Sequence, residues 1–434
     1  MSIRGVMAVL IAVLAGASAY AAEPPALRQL LEQIDALAAR QDWPAAEAAA
    51  QAAVTRYPQS RDARLRLAQV ALWSGDYAKA GPMFGRLVEQ NPGDVEARLG
   101  QAQAAYWSGD YRQALRHFEA VLRLRPDDPD ATRAVREIRS AARPGYTAGA
   151  GGISDDQPYR ATSSGASVYF FSDPLTRWEL GAAATRLHAG DASAHAQELF
   201  AGGETVLPRA GFRLGGRLRA MQFPDSRREL LPMLSLERRA GRSRVTLLIE
   251  RRELLRASTA LRSHPFADVA AVRWSGDGVR ATRFAVGAES LRYFDGNRGA
   301  SADGYILAPF RRFSLGASAA WRDTRASRFH PESGEYDPYW TPHDLREVRA
   351  IAAASFRRPR ATVDVHLDGG IARDRVVYFG PESASFSRTF HPWRASLAVG
   401  APLNGQTTFH VSAERVSTVF YTANEIRASV AGRF

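Results

Sequence analysis

Three polar residues on one short stretch have the side chains that bind metals or move protons. Asp364, His366 and Asp368 alternate with apolar residues. Alternate side chains of a β-strand point to the same face, so two carboxylates and an imidazole would share one surface. Such a set could hold a metal ion or work as an acid–base pair. Polar residues on the water-lined face of any membrane strand have the same spacing, and we favour that interpretation.

Other catalytic arrangements are weaker still. The pairs Ser263-His264 and Phe390-His391 supply a serine or a histidine, but neither lies in a recognisable acyl-transfer motif. The sequence contains no phosphate loop or glycine-rich nucleotide turn. The absence of cysteine excludes disulfides, thiolate zinc sites and a cysteine nucleophile. We therefore predict that the protein is not an enzyme and uses no metal or cofactor.

Aromatic residues mark the longest predicted loop. Tyr336, Tyr339 and Trp340 lie within the segment 336–342, which reads YDPYWTP. Aromatic planes beside polar groups stack on sugar rings, so this segment is a candidate carbohydrate-contacting loop. An aromatic belt at a membrane interface, or simple packing of the loop, explains it nearly as well.

The first third of the chain repeats itself every 34 residues. Five positions recur at this spacing, including the signature residues Trp73, Gly75 and Tyr77, which return as Trp107, Gly109 and Tyr111. A degenerate first copy begins at 42–43. The period resembles the tetratricopeptide repeat, a helix–turn–helix unit, and three repeats are predicted. Such arrays offer a concave surface to a partner protein, although we favour a core role for the tryptophans and tyrosines.

Residues 1–21 have the form of a secretory signal peptide, with Arg4 before a short apolar run and small residues at the cleavage site. No later stretch is long and apolar enough for a membrane-spanning helix. We expect an exported chain with three parts: the signal peptide at 1–21, the repeats at 22–143 and a second domain at 144–434.

The second domain alternates apolar and polar residues and contains turn residues every dozen or so positions. The chain ends on Phe434 after an alternating strand, which resembles the C-terminal assembly signal of bacterial outer-membrane β-barrels. Tight turns alternate with longer segments at 223–228, 256–265, 324–344 and 373–385, as in such barrels. We predict a transmembrane antiparallel barrel of 16 strands, with 14 as an alternative. The predicted strands are 146–153, 161–171, 175–188, 193–205, 209–222, 229–239, 242–255, 266–275, 280–293, 300–308, 311–323, 345–356, 360–372, 386–399, 405–415 and 421–434.

The net positive charge of the second domain and the position of its arginines indicate possible functions. The formal charge is +12, Lys79 is the only lysine, and most of the excess falls after residue 143. Inward arginines would line a pore and concentrate anions. Equally favoured is a brace, in which they pair with inward acids such as Glu237, Glu250, Glu289 and Asp364. Arginines on loops could instead bind lipopolysaccharide phosphates. The predicted inward arginines are Arg213, Arg217, Arg219, Arg283, Arg312, Arg322, Arg394 and Arg427.

The order of parts resembles the outer-membrane porins that export exopolysaccharides such as cellulose and poly-N-acetylglucosamine, and the size is similar to YaiO-type barrels. The resemblance implies a pore for polysaccharide, with periplasmic repeats that dock the synthesis machinery. Two alternatives remain: a barrel-anchored module that assists assembly or secretion of a surface protein, and a plugged receptor or structural barrel. Expected partners are the outer membrane with its lipopolysaccharide, the barrel assembly machinery and a periplasmic protein. The near-neutral repeats argue against nucleic acid.

Overall fold

The computed structural model describes residues 24–223, 227–254, 265–332, 335–336, 338–378, 384–419 and 421–434. The predicted signal peptide and the Ser263-His264 pair lie outside these ranges. The chain divides into two compact units between Ala141 and Ala142. The first unit is helical and the second consists of β-strands.

In the described part of the first unit, seven helices form three antiparallel pairs and a final single helix. Aspartates at the same repeat position cap the second helix of each pair: the carboxylates of Asp42, Asp76 and Asp110 accept backbone N–H groups three residues on, at 3.1–3.3 Å. The helices are α1 Pro25–Ala39, α2 Trp43–Arg56, α3 Arg61–Trp73, α4 Tyr77–Gln90, α5 Val95–Trp107, α6 Tyr111–Leu124 and α7 Pro129–Ala141.

Backbone geometry explains two of the recurring glycines. Gly75 and Gly109, in the turns within the second and third pairs, have φ angles of +88° and +81°, which favour a residue without a Cβ atom. Gln41 holds the same place in the first pair at φ +60°. The degenerate first copy therefore keeps the turn, but its Gln41 adopts a left-handed backbone conformation that is unfavourable for a residue with a Cβ atom.

The prediction that the tryptophan and tyrosine of each repeat signature belong to the core is wrong for the third repeat. Trp73 is half-buried against the first hydrophobic cluster, but Trp107 is 56% exposed and Tyr111 is 39% exposed. The cluster beside Trp73 includes Tyr57 and Met83. One period later these positions are polar, Asn91 and His117, so the apolar cover is missing.

We expect Gln41→Gly to stabilise the helical unit by about 1 kcal/mol, because glycine relieves the left-handed conformation of a side chain. Thermal unfolding of residues 24–141, followed by circular dichroism, should show a midpoint several degrees higher. Gly75→Gln, the reverse change one repeat later, should lower it. A midpoint unchanged by Gln41→Gly would contradict the assignment of strain to this turn.

The second unit forms one closed sheet and, within one of its loops, a separate two-stranded hairpin. Its strands are β1 Gly145–Asp155, β2 Tyr159–Asp173, β3 Thr176–Ala189, β4 Ala192–Leu207, β5 Phe212–Gln222, β6 Arg228–Ala240, β7 Ser243–Glu253, β8 Phe266–Asp277, β9 Arg283–Tyr293, β10 Arg298–Phe310, β11 Phe313–Thr324, β12 Phe329–His330, β13 Glu335–Tyr336, β14 His343–Arg358, β15 Ala361–Val377, β16 Ser385–Phe390, β17 Trp393–Pro402, β18 Thr407–Ser417 and β19 Thr422–Arg433.

Antiparallel pairing runs around the sheet and closes where β1 meets β19, with Gly145 opposite Arg433. β16 and β17 both pair with β15 and together fill one place in the wall, broken at 391–392. β12 and β13 form a separate hairpin inside a loop. Over the described residues this gives the predicted barrel of 16 strands.

The two faces of the wall differ as predicted. Leu214 and Leu315 point outward and are 46% and 47% exposed, as expected for a face that contacts lipid. Residues one position away face the interior. Both ends of the barrel chain lie at one rim, beside short turns such as 241–242 and 311–312; we call this rim the tight-turn end and the opposite rim the loop end.

The predicted alternation of connection lengths holds only in part. The loop end carries the long segments 254–265 and 325–342, but also the short connections 190–191 and 294–297. Gly190, at φ +59°, allows one of these tight hairpins. The predicted loop 373–385 is also shorter, because β15 continues to Val377.

Phe434 lies at the closing seam of the barrel. Its backbone N–H donates to the carbonyl of Pro144 at 3.0 Å, and its ring lies 5.6 Å from that of Tyr146. A role in assembly remains a prediction. Among the described helices, none has the length and apolar character needed to cross a membrane.

Candidate functional site: the barrel interior and its inward loop

Ion pairs run around the interior of the barrel. Strand alternation directs arginines and acids from neighbouring strands to the same inward face, where their side chains meet. Arg252, for example, contacts Glu250 at 2.8 Å and Glu289 at 3.1 Å. Guanidinium and carboxylate groups form bidentate hydrogen bonds of this kind. The wall of the lumen is therefore braced by charge pairs.

Five of the eight arginines predicted to line the lumen belong to this set of pairs. Arg219 is the most highly connected, reaching Glu198 at 2.9 Å and Glu253 at 2.8 Å. The remaining contacts are Arg213 to Glu204 at 3.1 Å, Arg217 to Glu179 at 3.0 Å, Arg394 to Asp368 at 3.5 Å, and Arg427 to Glu425.

The other three arginines differ in position. Arg283 and Arg322 occupy inward strand positions, and Arg312 lies in the turn between β10 and β11 rather than in a strand. None of them makes an ion pair within 4.0 Å with a described residue. Arg322 lies over the ring of Trp340, 5.9 Å from its centre. These cations are less closely compensated than the five paired ones.

Two members of the cluster on β15, His366 and Asp368, are part of the brace, whereas Asp364 is exposed and makes no ion pair with a described residue. The Nε2 atom of His366 lies 3.0 Å from Asp368, and Arg349 donates to the same carboxylate at 2.6 Å. Asp368 is almost fully buried. A carboxylate that already contacts a guanidinium and an imidazole is poorly suited to bind a metal, and the described residues contain no group of three side chains that could hold one. His391 lies in the break between β16 and β17.

Inward acids and arginines occur in similar numbers along the barrel strands, so the lining is close to charge-balanced. The brace anticipated from the sequence is therefore present, and five of the predicted arginines take part in it. The excess positive charge of the barrel lies mainly on its rims. An anion preference would have to come from Arg283, Arg322 and the rim rather than from the paired belt.

The described residues of the long loop 325–342, namely 325–332, 335–336 and 338–342, fold back into the loop end of the barrel, and we call them the inward loop. Its Tyr339 is 5% exposed and packs in one cluster with Ala267, Val269 and Tyr293. Those three residues occupy inward positions on β8 and β9. The inward loop therefore lies on the lumen side of the wall and narrows this mouth.

Asp295, in the β9–β10 turn, holds the inward loop from one side. The hydroxyl of Tyr339 donates to the Asp295 carboxylate at 2.9 Å, and Arg328 reaches it at 2.6 Å. The Tyr339 and Tyr293 rings stack 4.2 Å apart at 11°. Burial alone would raise the pKa of Asp295, but the Asn297 backbone amide, Arg328 and Tyr339 together hold the pKa below its ordinary value.

The β15–β16 part of the wall, separated from β10 by β11 and β14, holds the other part of the inward loop. Phe329 is buried, and its ring lies 5.2 Å from Tyr336 and 5.9 Å from Tyr378, which follows β15. The hydroxyl of Ser327 also donates to the backbone carbonyl of Val377. The inward loop thus connects the β8–β10 side of the mouth with the β15–β16 side.

These contacts correct the carbohydrate-track prediction for Tyr339, because the ring that would stack on a sugar is buried against Tyr293. Tyr336 and Trp340 are half-buried, and burial raises the pKa of Tyr336 to about 12. Sequence reasoning missed Asp295. The turn-forming run Tyr293-Phe294-Asp295-Gly296-Asn297 was the available signal, but its partner lies 44 residues away.

The repeats and the barrel define the class of protein. Two tetratricopeptide-repeat family models match residues 71–138 and 31–95, so the helical unit is built of these repeats. The barrel has a porin-like outer-membrane fold. No curated protein matches the sequence significantly.

Solved structures are similar to the two parts separately. A bacterial polysaccharide outer membrane secretin matches with 12% identity and a TM-score of 0.52, over 67% of this chain and 98% of its own. OccK3 (OpdO) of Pseudomonas aeruginosa matches with 11% identity and a TM-score of 0.38, over 67% and 95%. The TPR domain of Arabidopsis OM64 matches with 18% identity and a TM-score of 0.25, over 26% and 94%. At these identities the likeness concerns the fold alone.

We expect Tyr339→Ala to raise single-channel conductance in planar bilayers, since it removes both the stacked ring and the hydrogen bond to Asp295. Tyr339→Phe keeps the stack and should have a smaller effect. Because the pKa of Asp295 is held below its ordinary 3.8, the wild-type contact should persist at neutral pH and be lost only below that value. The outward change Phe310→Ala is the control. Equal conductance in all four proteins would show that the inward loop does not restrict the pore.

Proposed function

We propose that this protein is an outer-membrane pore for exopolysaccharide export. The observation that carries the proposal is a barrel interior lined by paired polar groups and narrowed by an inward loop with aromatic side chains. Paired charges offer hydrogen-bonding surfaces to a hydrated polymer without the strong local field that would trap an ion. The fold likeness to a polysaccharide secretin supports the same function.

In this function the barrel is oriented with its tight-turn end toward the periplasm. The tight-turn end carries the strand that follows the repeats, so the repeats face the periplasm and the inward loop lies at the outer surface. Phe434, at the seam, serves recognition by the barrel assembly machinery.

The repeats would dock a periplasmic partner from the synthesis machinery. Trp107 is 56% exposed, and its ring lies 5.3 Å from Tyr106, which in turn lies 5.5 Å from the exposed Tyr111. Exposed aromatic clusters on a solvent-facing helical array are typical of protein-binding surfaces. This patch is the candidate docking surface.

A barrel-anchored interaction module is the second candidate. The loop end favours this candidate, because the inward loop and two apolar clusters fill the interior there. One cluster lies around Phe223 and Leu231, and the other around Leu187 and Ala189. In that case the barrel anchors the repeats, which assist a surface protein.

The test separates the two parts of the molecule. Removing residues 24–141 should leave barrel conductance unchanged in bilayers but reduce polymer in the medium of producing cells several-fold, because the synthesis machinery loses its dock. The double change Trp107→Ala and Tyr111→Ala should reproduce the export loss in an otherwise complete chain. Leu124→Ala, another exposed apolar residue of the array, is the control.

Undiminished polymer after deletion of the repeats would overturn the docking role. Barrels that stay non-conducting even with Tyr339→Ala would favour the anchor over the pore.

A further inference from the structure

Arginines cluster on one arc of the tight-turn end. Four neighbouring hairpins follow one another around the barrel: β6–β7, β8–β9, β10–β11 and β14–β15. Each has arginines in its turn or at the adjoining strand ends, and all are exposed. We call the members that lie in the turns or point outward the basic arc: Arg238, Arg242, Arg280, Arg311, Arg312, Arg358 and Arg360.

The basic arc lacks charge pairs, unlike the interior. None of its members makes an ion pair within 4.0 Å with a described residue. The rest of the same rim is different. The β17–β18 turn presents Asn404 and Gln406, the β2–β3 connection carries Asp173, and the β4–β5 turn contains a single arginine in its sequence, Arg209. The positive charge is therefore concentrated on one side of the barrel.

Exposed aromatic residues lie on the outer wall directly beside the basic arc. Trp274, Phe310 and Phe313 are 50%, 56% and 51% exposed, on the strands that enter these turns. Outward aromatic rings at a strand end mark the level of the lipid headgroups. The arginines beyond them then lie at the depth of the phosphate groups.

Two guanidinium groups are held on this outer side by the aromatic rings. Arg311 lies over Phe310 at 5.8 Å from the ring centre, and Arg238 lies over Phe212 at 5.4 Å. A cation placed on a lipid-facing ring is directed toward the membrane rather than the lumen. This location distinguishes the basic arc from a path for a polymer through the pore.

We propose that the basic arc binds the phosphate groups of anionic phospholipids in the leaflet at the tight-turn end. Guanidinium forms bidentate hydrogen bonds with phosphate, and clustered basic residues at a membrane surface attract anionic lipid. One side of the barrel therefore carries bound anionic lipid, and the other side of the rim does not.

Native mass spectrometry tests the proposal on the full-length protein in zwitterionic micelles, with phosphatidylglycerol or phosphatidylcholine added. The arc variant combines Arg242→Gln, Arg280→Asn, Arg311→Asn and Arg360→Gln. Asparagine suits positions 280 and 311 because both have a φ of 55°. We expect at least tenfold weaker binding of phosphatidylglycerol and no change with phosphatidylcholine. Heat-modifiable mobility on a gel verifies that the barrel is folded.

A loop-end variant supplies the matched control: Arg160→Gln, Arg186→Gln, Arg292→Gln and Arg298→Gln. These arginines are also exposed, point outward and make no ion pair with a described residue, so the net charge changes equally. The control should keep most of the phosphatidylglycerol affinity. An equal loss in both variants would overturn the proposal, because total charge rather than the basic arc would then set binding.

A second ligand separates lipid from polymer. Oligogalacturonate, an anionic oligosaccharide, is added in the same titration. If the arc variant loses oligogalacturonate binding but keeps its phosphatidylglycerol affinity, the basic arc is a polymer-binding surface and the lipid proposal fails. Retention of a soluble, heat-modifiable barrel with unchanged phosphatidylglycerol affinity would also refute it.

Discussion

Closure of the sheet between β1 and β19 is the constraint on which the second unit depends. Backbone N–H and C=O groups in a membrane have no water to bond with, so each must find a partner within the protein. The eleven-residue register from Gly145 opposite Arg433 to Asp155 opposite Ala423 removes the last two free edges. Several inward positions of β1 are glycines, and Gly145 and Gly149 lie so close to β19 that a Cβ atom would meet its backbone. Closure thus limits which residues the seam can contain.

Once the sheet is closed, the alternation of side chains along each strand determines whether a charged residue faces the lipid or the interior. An arginine in a transmembrane strand faces either lipid or the interior, and the lipid face disfavours it by roughly 2–4 kcal/mol at the bilayer midplane. Inside, an uncompensated cation would still be partly desolvated, and the paired acids offset this. Arg219 with Glu198 and Glu253, and Asp368 with Arg349, show the result. Unpaired arginines are tolerated where water and headgroups reach, at the rims.

Periodicity explains what could be predicted. A two-residue alternation and a 34-residue repeat are local signals, so the barrel strands and the helical repeats could be placed from sequence, within a few residues. The inward loop could not, because it depends on contacts made only after closure, such as Tyr339 with Asp295 across 44 residues. The exposure of Trp107 could not be predicted for a related reason. The repeat motif itself is constant, but the positions that cover the tryptophan are apolar in one repeat and polar, Asn91 and His117, in the next. The sequence could predict that inward arginines pair with inward acids. It could not predict the individual partners, such as Glu204 and Glu179, because these depend on the register between neighbouring strands.

The two rims of the barrel differ in the forces that organise them. At the loop end, apolar clusters and buried aromatic contacts draw segments such as the inward loop into the interior, so this mouth is shaped by desolvation. At the tight-turn end, the turns are too short to fold inward, and their arginines remain exposed on one arc. Under the proposed function, passage of a polymer would be controlled mainly at the loop end, where contacts such as that between Tyr339 and Asp295 would have to open. Contact with anionic lipid, as proposed for the basic arc, would be made at the other rim. A change at one rim need not disturb the other, because the charge-paired belt between them is balanced and held rigidly by the closed sheet.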